Sequence, residues 1–484
     1  MPLSRAAPGE FMRRRNPQHY AGTRPDQLSE VMRFTLRRTV TFPGAVALLT
    51  AAALLPLASP SAAASGDDLG IHTSVLPVGT RLPSLAELRQ PGGTLRLPAG
   101  REAFTGAQRA PEVVGPAATY GRAVGQRSAV ADPPVSYPEP ARTMTPKECI
   151  KGLGTNKRFF FKSRFASCSG AVFFTVWSKN GRPVGETQFV YLSVGTIAKD
   201  SRDVRITQYF TEMKKTGQVE TSALMIKPSV KIPQVWPAAA NVKQTGTVPG
   251  ARSFDTIAAQ QPAGFTRVLN AAAGQGSTPS DAIAAVFEAS ATITPPPGYT
   301  PGGELSGTLF FLPPRWDKAK YLSKPTQGGA AFTYLVPLVY STKAGAPERA
   351  VAQHIKTAFT KPGTTKPVNA NKKVPGATVQ TPLRRLYHDN ARRKKNRSTA
   401  VSTCKKVFGD DYAQGGKECD EYPFATTYEG CAQTTYEPSA PKNNFSVLPL
   451  AKKDNGNAGN LLGQFMTLNR ILDGDDDGFY VTIT

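Results

Sequence analysis

One short segment in the last quarter of the sequence concentrates side chains capable of acid–base or metal chemistry. Residues 419–430 read Cys-Asp-Glu-Tyr-Pro-Phe-Ala-Thr-Thr-Tyr-Glu-Gly and hold three carboxylates, Asp420, Glu421 and Glu429. Carboxylates can accept protons in catalysis and can bind hard cations through oxygen. Because packing alone rarely produces such a cluster, the segment is a candidate catalytic centre.

Two further polar blocks follow in the sequence. Residues 454–460 read Asp-Asn-Gly-Asn-Ala-Gly-Asn, and Asp473-Gly474-Asp475 forms a later turn. A D-E-[YW]-P block, a D-N-x-x-A-G block and a D-G-containing last turn, in this order, resemble the secreted NucA/NucB deoxyribonuclease family. A predicted strand at residues 332–340 and a helix from Pro347-Glu348 through His354-Ile355 extend the resemblance over residues 332–484.

The resemblance implies a role for the first two carboxylates of the cluster. Hydrolysis of a phosphodiester needs a base to activate water and a cation to hold the phosphate. In ββα-metal nucleases, which the family resembles in reduced form, the base is usually a histidine, and no histidine is near the motif in the sequence. The resemblance therefore implies Asp420 as general base. In an extended segment Glu421 faces the opposite side, so we expect it to orient a basic residue or the neighbouring strand.

The same resemblance assigns metal ligation to Glu429 with Asn455 or Asn460. The helix expected after Asp454 corresponds to the place where ββα-metal nucleases carry an amide ligand, and oxygen donors suit Mg²⁺ or Mn²⁺. The family block is nearer D-N-R-G-A-G, so Gly456-Asn457 removes a cation from this loop. Alternatively, the start of the block is only a turn and a helix N-cap.

The formal net charge of +24 favours a polyanionic partner, either DNA or an anionic cell-wall polymer. The densest cationic run predicts a basic helix that contacts the DNA backbone. Its candidate contacts are Arg392, Arg393, Lys394, Lys395 and Arg397. A solvated helix face is the alternative. His388 is either a second proton donor or an ordinary surface histidine.

The cysteines and the N-terminal region predict export. Residues 32–64 combine arginines, an apolar run and a C-terminal stretch of small residues, as in a secretory signal peptide. Translation could start at Met1 or at Met32. In an exported chain the five cysteines predict disulfides. Proximity in sequence favours Cys149–Cys168 and Cys404–Cys419 and leaves Cys431 free, with Cys419–Cys431 as the rival to the second pair.

The composition predicts four regions. A signal peptide at residues 1–64 precedes a disordered Pro/Ala-rich linker at 65–146. A β-rich domain of unknown role, expected to be a sandwich, follows at 147–325, where Asn180-Gly181 between two apolar runs is a strong hairpin signal. Residues 332–484 are expected to form an α+β domain, a small antiparallel sheet with helices, that works without the preceding residues. Residues 473–478 imitate the first half of an EF-hand loop, with weak calcium binding a minor alternative.

Together these features predict a secreted, metal-dependent endonuclease that hydrolyses DNA with little sequence specificity. The alternative is an exported protein that binds cell wall or matrix and carries a non-catalytic nuclease-like domain. Neither reading includes stable insertion in a membrane after signal cleavage, and the sequence does not define the oligomeric state.

Overall fold

The computed structural model of the chain describes residues 67–90, 135–154, 159–276, 279–309, 311–475 and 477–484. The predicted signal peptide at residues 1–64 lies outside these ranges, as does the part of the predicted linker at 91–134. The described residues form one compact unit.

The N-terminal two thirds of the described chain is β-rich, as the sequence predicts. Its strands are β1 (Leu69–Pro77), β2 (Phe159–Ser163), β3 (Ala166–Lys179), β4 (Arg182–Ile197), β5 (Val204–Gly217), β6 (Met225–Trp236), β7 (Val242–Thr245), β8 (Arg252–Ser253), β9 (Ala263–Ala271), β10 (Ile283–Thr294), β11 (Tyr299–Gly303), β12 (Ser306–Leu309), β13 (Pro314–Asp317) and β14 (Gly329–Phe332). Its helices are α1 (Leu85–Leu88), α2 (Pro146–Leu153) and α3 (Phe254–Ala258).

These strands form two sheets that share an apolar core. The first has the order β11-β1-β3-β4-β5-β9-β7, with β2 paired to β3, and the second has the order β14-β13-β10-β6-β8, with β12 paired to β10. Phe173 and Phe210 of the first sheet and Phe287 of the second lie in one buried cluster. The predicted hairpin joins β3 to β4, where Asn180 and Gly181 have φ values of 52° and 73°. Positive φ at both positions is what a tight hairpin turn requires.

The predicted linker at residues 65–146 is wrong where the structure describes it. Strand β1 lies between β11 and β3 in the first sheet. Alternate side chains along it, Ile71, Thr73 and Val75, are buried. Residues 135–145 also pack against folded structure, since the Tyr137 ring contacts Phe465 at 5.4 Å between centroids. The Pro- and Ala-rich composition around β1 indicated a linker, because the apolar side chains of this strand are buried only by long-range pairing, which composition does not show.

The C-terminal part is a mixed arrangement of short sheets and helices. Its elements are β15 (Val336–Tyr340), α4 (Arg349–Thr360), a 3₁₀ turn (Pro362–Thr364), α5 (Asn390–Phe408), β16 (Lys417–Tyr422), α6 (Gln433–Tyr436), β17 (Ser446–Ala451), α7 (Lys452–Leu468) and β18 (Phe479–Ile483). Strands β15 and β18 pair in parallel, and β16 pairs with β17 in antiparallel. The single strand predicted at residues 332–340 is wrong. Phe332 ends β14 in the second sheet, and β15 begins a separate pair.

The β-rich and C-terminal parts share a core and a buried group of charges. The apolar cluster of the sandwich continues into β15, α4 and α7. Asp477 is hydrogen-bonded to Arg164 and Arg315, and Arg470 is hydrogen-bonded to Asp317. All five side chains are at most 5% exposed. The structure therefore gives no support to the expectation that residues 332–484 stand alone.

Candidate active site

Strand β16 carries the carboxylate cluster and directs its members to opposite faces. Asp420 pairs in register with Leu448 and Glu421 with Val447, so alternate side chains point to alternate faces of the two-stranded sheet. Asp420 meets α4 on one face, and Glu421 meets α5 on the other. The alternation predicted from the sequence is confirmed.

Asp420 lies in a buried chain of hydrogen bonds with a histidine and a serine. His354 Nδ1 is 2.6 Å from Asp420 Oδ2, and His354 Nε2 is 2.7 Å from Ser446 Oγ. Asp420 and His354 are each 4% exposed, and Ser446 is fully buried. A proton on Nδ1, donated to the carboxylate, leaves Nε2 to accept from the serine hydroxyl.

Although no histidine is near the motif in the sequence, His354 lies beside it in the folded chain. His354 lies 66 residues before Asp420 in the chain and reaches it because α4 packs on the β16–β17 sheet. A signal was present in the sequence. His354 falls on the buried stripe of α4 with Val351, Ile355 and Ala358, and a polar side chain on such a stripe needs a buried partner.

His354 and Ser446 line a cleft of about 380 Å³ between α4, β17 and the loop after α4. Other side chains in its wall include Gln353, Thr357 and Lys366. Asp420 is not part of the wall, because it lies behind the imidazole. The His354–Ser446 pair is thus the group in the cleft wall that could transfer a proton, and Asp420 is hydrogen-bonded to the far side of the imidazole.

Glu421 is buried on the opposite face and forms an ion pair with Arg397 of α5. Burial raises the pKa of Glu421 to about 7, outweighing the attraction of Arg397. Arg397 also donates to the backbone oxygen of Cys419. Glu421 therefore holds a basic side chain against β16, which is the arrangement expected of it.

The three predicted metal ligands do not form one site in the structure. Both carboxylate oxygens of Glu429 accept from Arg384, one from its backbone nitrogen at 2.9 Å and one from Nε at 2.6 Å. Asn455 donates to Glu418 at 3.2 Å, and Asn460 is exposed on α7. Nowhere in the described ranges do three or more His, Cys, Asp or Glu side chains cluster as metal ligands. The charge of Glu429 is already balanced by Arg384, so Glu429 does not fit the predicted role of metal ligand.

Helix α5 forms where predicted, but two of its five predicted DNA contacts are used inside the protein. Arg392 is buried and donates to Glu437 at 2.7 Å, and Arg397 is paired with Glu421. The structure gives no support to Arg392 as a contact to the DNA backbone, and the charge of Arg397 is shared with Glu421. Arg393, Lys394 and Lys395 lie on the outer side of the helix.

Both predicted disulfides are present. Cys404–Cys419 ties α5 to β16 directly before Asp420, and Cys149–Cys168 ties α2 to β3. Cys431 is buried and free, so the rival pairing is wrong.

The late Asp-Gly turn is occupied by internal contacts. Asp473 accepts from the backbone nitrogen of Tyr387, Asp475 pairs with Arg384, and Asp477 is enclosed by two arginines. Burial alone would raise the pKa of Asp477, but Arg164 and Arg315 together lower it. Asp475 and Asp477 are thus paired with arginines of the chain itself, and Asp473 is held by a backbone nitrogen. His388 is exposed and stacks edge-on against Tyr321 and Tyr387.

The C-terminal α+β part thus holds a histidine between a buried aspartate and a serine at a cleft, an arrangement in which the imidazole could transfer a proton. Residues 369–482 match the family Deoxyribonuclease NucA/NucB, which confirms the resemblance predicted for the C-terminal region. The match includes Asp420 and Ser446 and begins after His354, which the surrounding structure supplies. No curated protein and no solved structure matched the chain. In the described residues, no helix is long and apolar enough to cross a membrane.

Proposed function

We propose that the C-terminal domain is a secreted endonuclease that hydrolyses DNA phosphodiester bonds with little sequence specificity. The observation that carries the proposal is the His354–Asp420 hydrogen bond at a cleft in a domain that matches a deoxyribonuclease family. Two disulfides and the leader-like sequence before residue 65 support export, because disulfides persist in oxidising compartments.

In the proposed mechanism, Asp420 accepts a hydrogen bond from Nδ1–H of His354, which holds the ring in the tautomer whose Nε2 is free to accept a proton. A water molecule beside Ser446 passes a proton to Oγ while the serine proton moves to Nε2. The hydroxide attacks phosphorus, and the P–O bond to the leaving oxygen breaks. Asp420 stabilises the imidazolium, which then returns the proton to the leaving oxygen through Ser446.

The cleft also supplies a cation for the substrate. Lys366 lies in its wall. Lysine contacts to phosphate position DNA without reading its bases, which accounts for low sequence specificity. A requirement for Mg²⁺ or Mn²⁺ stays a prediction from the family resemblance, and no step above passes through a metal.

The test is cleavage of supercoiled plasmid by the purified full chain, with Mg²⁺, with Mn²⁺ and with EDTA. Asp420→Asn and His354→Asn should each lower the cleavage rate by about 10²–10⁴-fold, the usual contribution of acid–base catalysis. Matched controls are Asp410→Asn, at a side chain 91% exposed, and His72→Asn, at an exposed position of β1. Both controls should cleave at the wild-type rate.

Wild-type rates in both site variants would refute the mechanism. Absence of cleavage by the wild-type chain under every metal condition would refute the proposed function and favour the wall- or matrix-binding alternative.

A further inference from the structure

We propose that the start of α5, with Tyr387 and Tyr436, forms a second site that binds single-stranded DNA by base stacking. The inference rests on the proposed function, since it names the kind of DNA that the domain holds. It concerns a surface separate from the cleft.

The first observation is the exposure of two aromatic rings. In the described residues, the large hydrophobic side chains that are exposed are Val368, Tyr387 and Tyr436. Tyr387 is 36% exposed and Tyr436 is 40% exposed, and both lie beside the first turns of α5. Exposed aromatic rings next to cations are the usual platform for unpaired bases.

The second observation is that both rings are held in place. Tyr387 stacks on Tyr321 at 4.2 Å between ring centroids, and the Arg393 guanidinium lies 5.6 Å from the centroid of the Tyr387 ring. Arg392 lies 4.8 Å from the rings of both Tyr436 and Tyr428. Rings that are already ordered lose little conformational entropy when a base stacks on them.

The third observation concerns charge. The acidic neighbours are already engaged, because Asp389 caps α5 at the Arg392 nitrogen and Glu437 pairs with Arg392. Lys394 and Lys395 are exposed, and neither forms an ion pair with any described residue. Their charges are complementary to the phosphates of a strand whose bases stack on the tyrosines.

The position of the surface makes it a second site. Helix α5 packs on the Glu421 face of the β16–β17 sheet, whereas His354 and the cleft lie on the Asp420 face. Duplex DNA keeps its base faces covered by neighbouring pairs, so stacking on Tyr387 and Tyr436 selects unpaired bases. The surface would hold a frayed or single-stranded segment while the cleft cuts elsewhere on the same molecule.

The experiment measures binding without cleavage, using the full chain with Asp420→Asn in EDTA. Fluorescence anisotropy compares an oligothymidine with a duplex of equal length. We expect tighter binding to the single strand, and about 10-fold weaker single-strand binding or more when Tyr387→Ala and Tyr436→Ala are combined. The paired variants Tyr387→Phe and Tyr436→Phe keep the rings and should keep the affinity.

Lys394→Gln with Lys395→Gln should weaken binding to both DNAs and reduce the salt dependence of single-strand binding by about 0.7 per lysine. Unchanged single-strand affinity in the double alanine variant would overturn the inference, as would equal or tighter duplex binding. Because no cleavage is measured, the inference can stand or fall independently of the nuclease activity. Equal melting temperatures of the phenylalanine and alanine variants confirm that a lost affinity is not a lost fold.

Discussion

The hydrogen bond between His354 and Asp420 changes what substitution of the aspartate should do. Asparagine keeps the size of Asp420 but not the charge that stabilises an imidazolium, and its amide can impose the wrong tautomer on His354. The contact is also buried, so its loss costs about 1–3 kcal/mol of folding stability. Cleavage and melting temperature should therefore both fall in Asp420→Asn.

Ser446 offers a test of the proton relay. Ser446→Ala removes the hydroxyl 2.7 Å from His354 Nε2 and leaves the His354–Asp420 pair intact. We expect cleavage to slow by about 10-fold or more, because the relay supplies part of a general-base contribution of about 10²–10⁴-fold. Plasmid cleavage at several pH values gives the measurement. An unchanged rate and pH profile would mean that water gives its proton to His354 directly.

Glu421 should make stability depend on pH. Its folded pKa of about 7 lies above the unfolded value of about 4.3, so the folded state binds the proton more tightly. The stabilisation from this group is present below pH of about 4.3 and is lost as pH rises through about 7. Glu421→Gln should flatten this part of the profile, measured by urea unfolding at pH 5 and pH 8. Glu304→Gln, at an exposed position, is the control and should leave the profile unchanged.

At the scale of elements, the Cys404–Cys419 disulfide joins the helix and the strand that carry Arg397 and Asp420. The bridge closes a separation of 15 residues, for which the loss of unfolded-state entropy is worth about 3 kcal/mol. The double variant Cys404→Ala, Cys419→Ala should lose stability of that order and lose cleavage with it. Denaturant unfolding and plasmid cleavage give the measurements. Cys431→Ala, at the free cysteine, is the comparison, and peptide mapping without reduction should recover both bridges.

Local patterns in the sequence predicted which elements form better than they predicted which elements contact each other. The period-2 alternation of β16 and the Asn180-Gly181 hairpin depend on neighbouring residues only, and both are confirmed. The buried stripe of α4 shows that His354 needs a partner, but its contact with Asp420 depends on packing between segments 66 residues apart, which no local pattern specifies. Arg392 shows an intermediate case. It begins a row of buried positions with Asn396, Ala400 and Cys404, so helical spacing alone could have placed it inside.

At the scale of the molecule, the contact between the sandwich and the C-terminal domain predicts that each part needs the other for a stable fold. Asp477 is enclosed by Arg164 and Arg315, and removal of one partner from a buried charge group typically costs about 3–5 kcal/mol. Asp477→Ala should destabilise the full chain by that order in denaturant unfolding. Asp410→Ala, at an exposed aspartate, should change stability by less than about 0.5 kcal/mol.

The fragment of residues 332–484 gives the stronger version of this prediction. It would leave Asp477 and Arg470 without their partners and would uncover the part of the core that packs on the sandwich. We expect it to aggregate or to remain unfolded, as judged by size-exclusion chromatography and circular dichroism. A monodisperse fragment that nicks plasmid at the rate of the full chain would contradict this view of the interface.

The parallel pairing of β15 with β18 has a consequence for when the domain becomes active during its synthesis. Residues 479–483 follow every other described strand and helix, and β15 has its strand partner only after they have been made. Asp477, which binds the sandwich arginines, comes immediately before them. We expect a ribosome-bound chain that lacks these residues to leave β15 without its strand partner. For the nuclease proposed above, DNA cleavage would then begin only after residues 479–483 have been made.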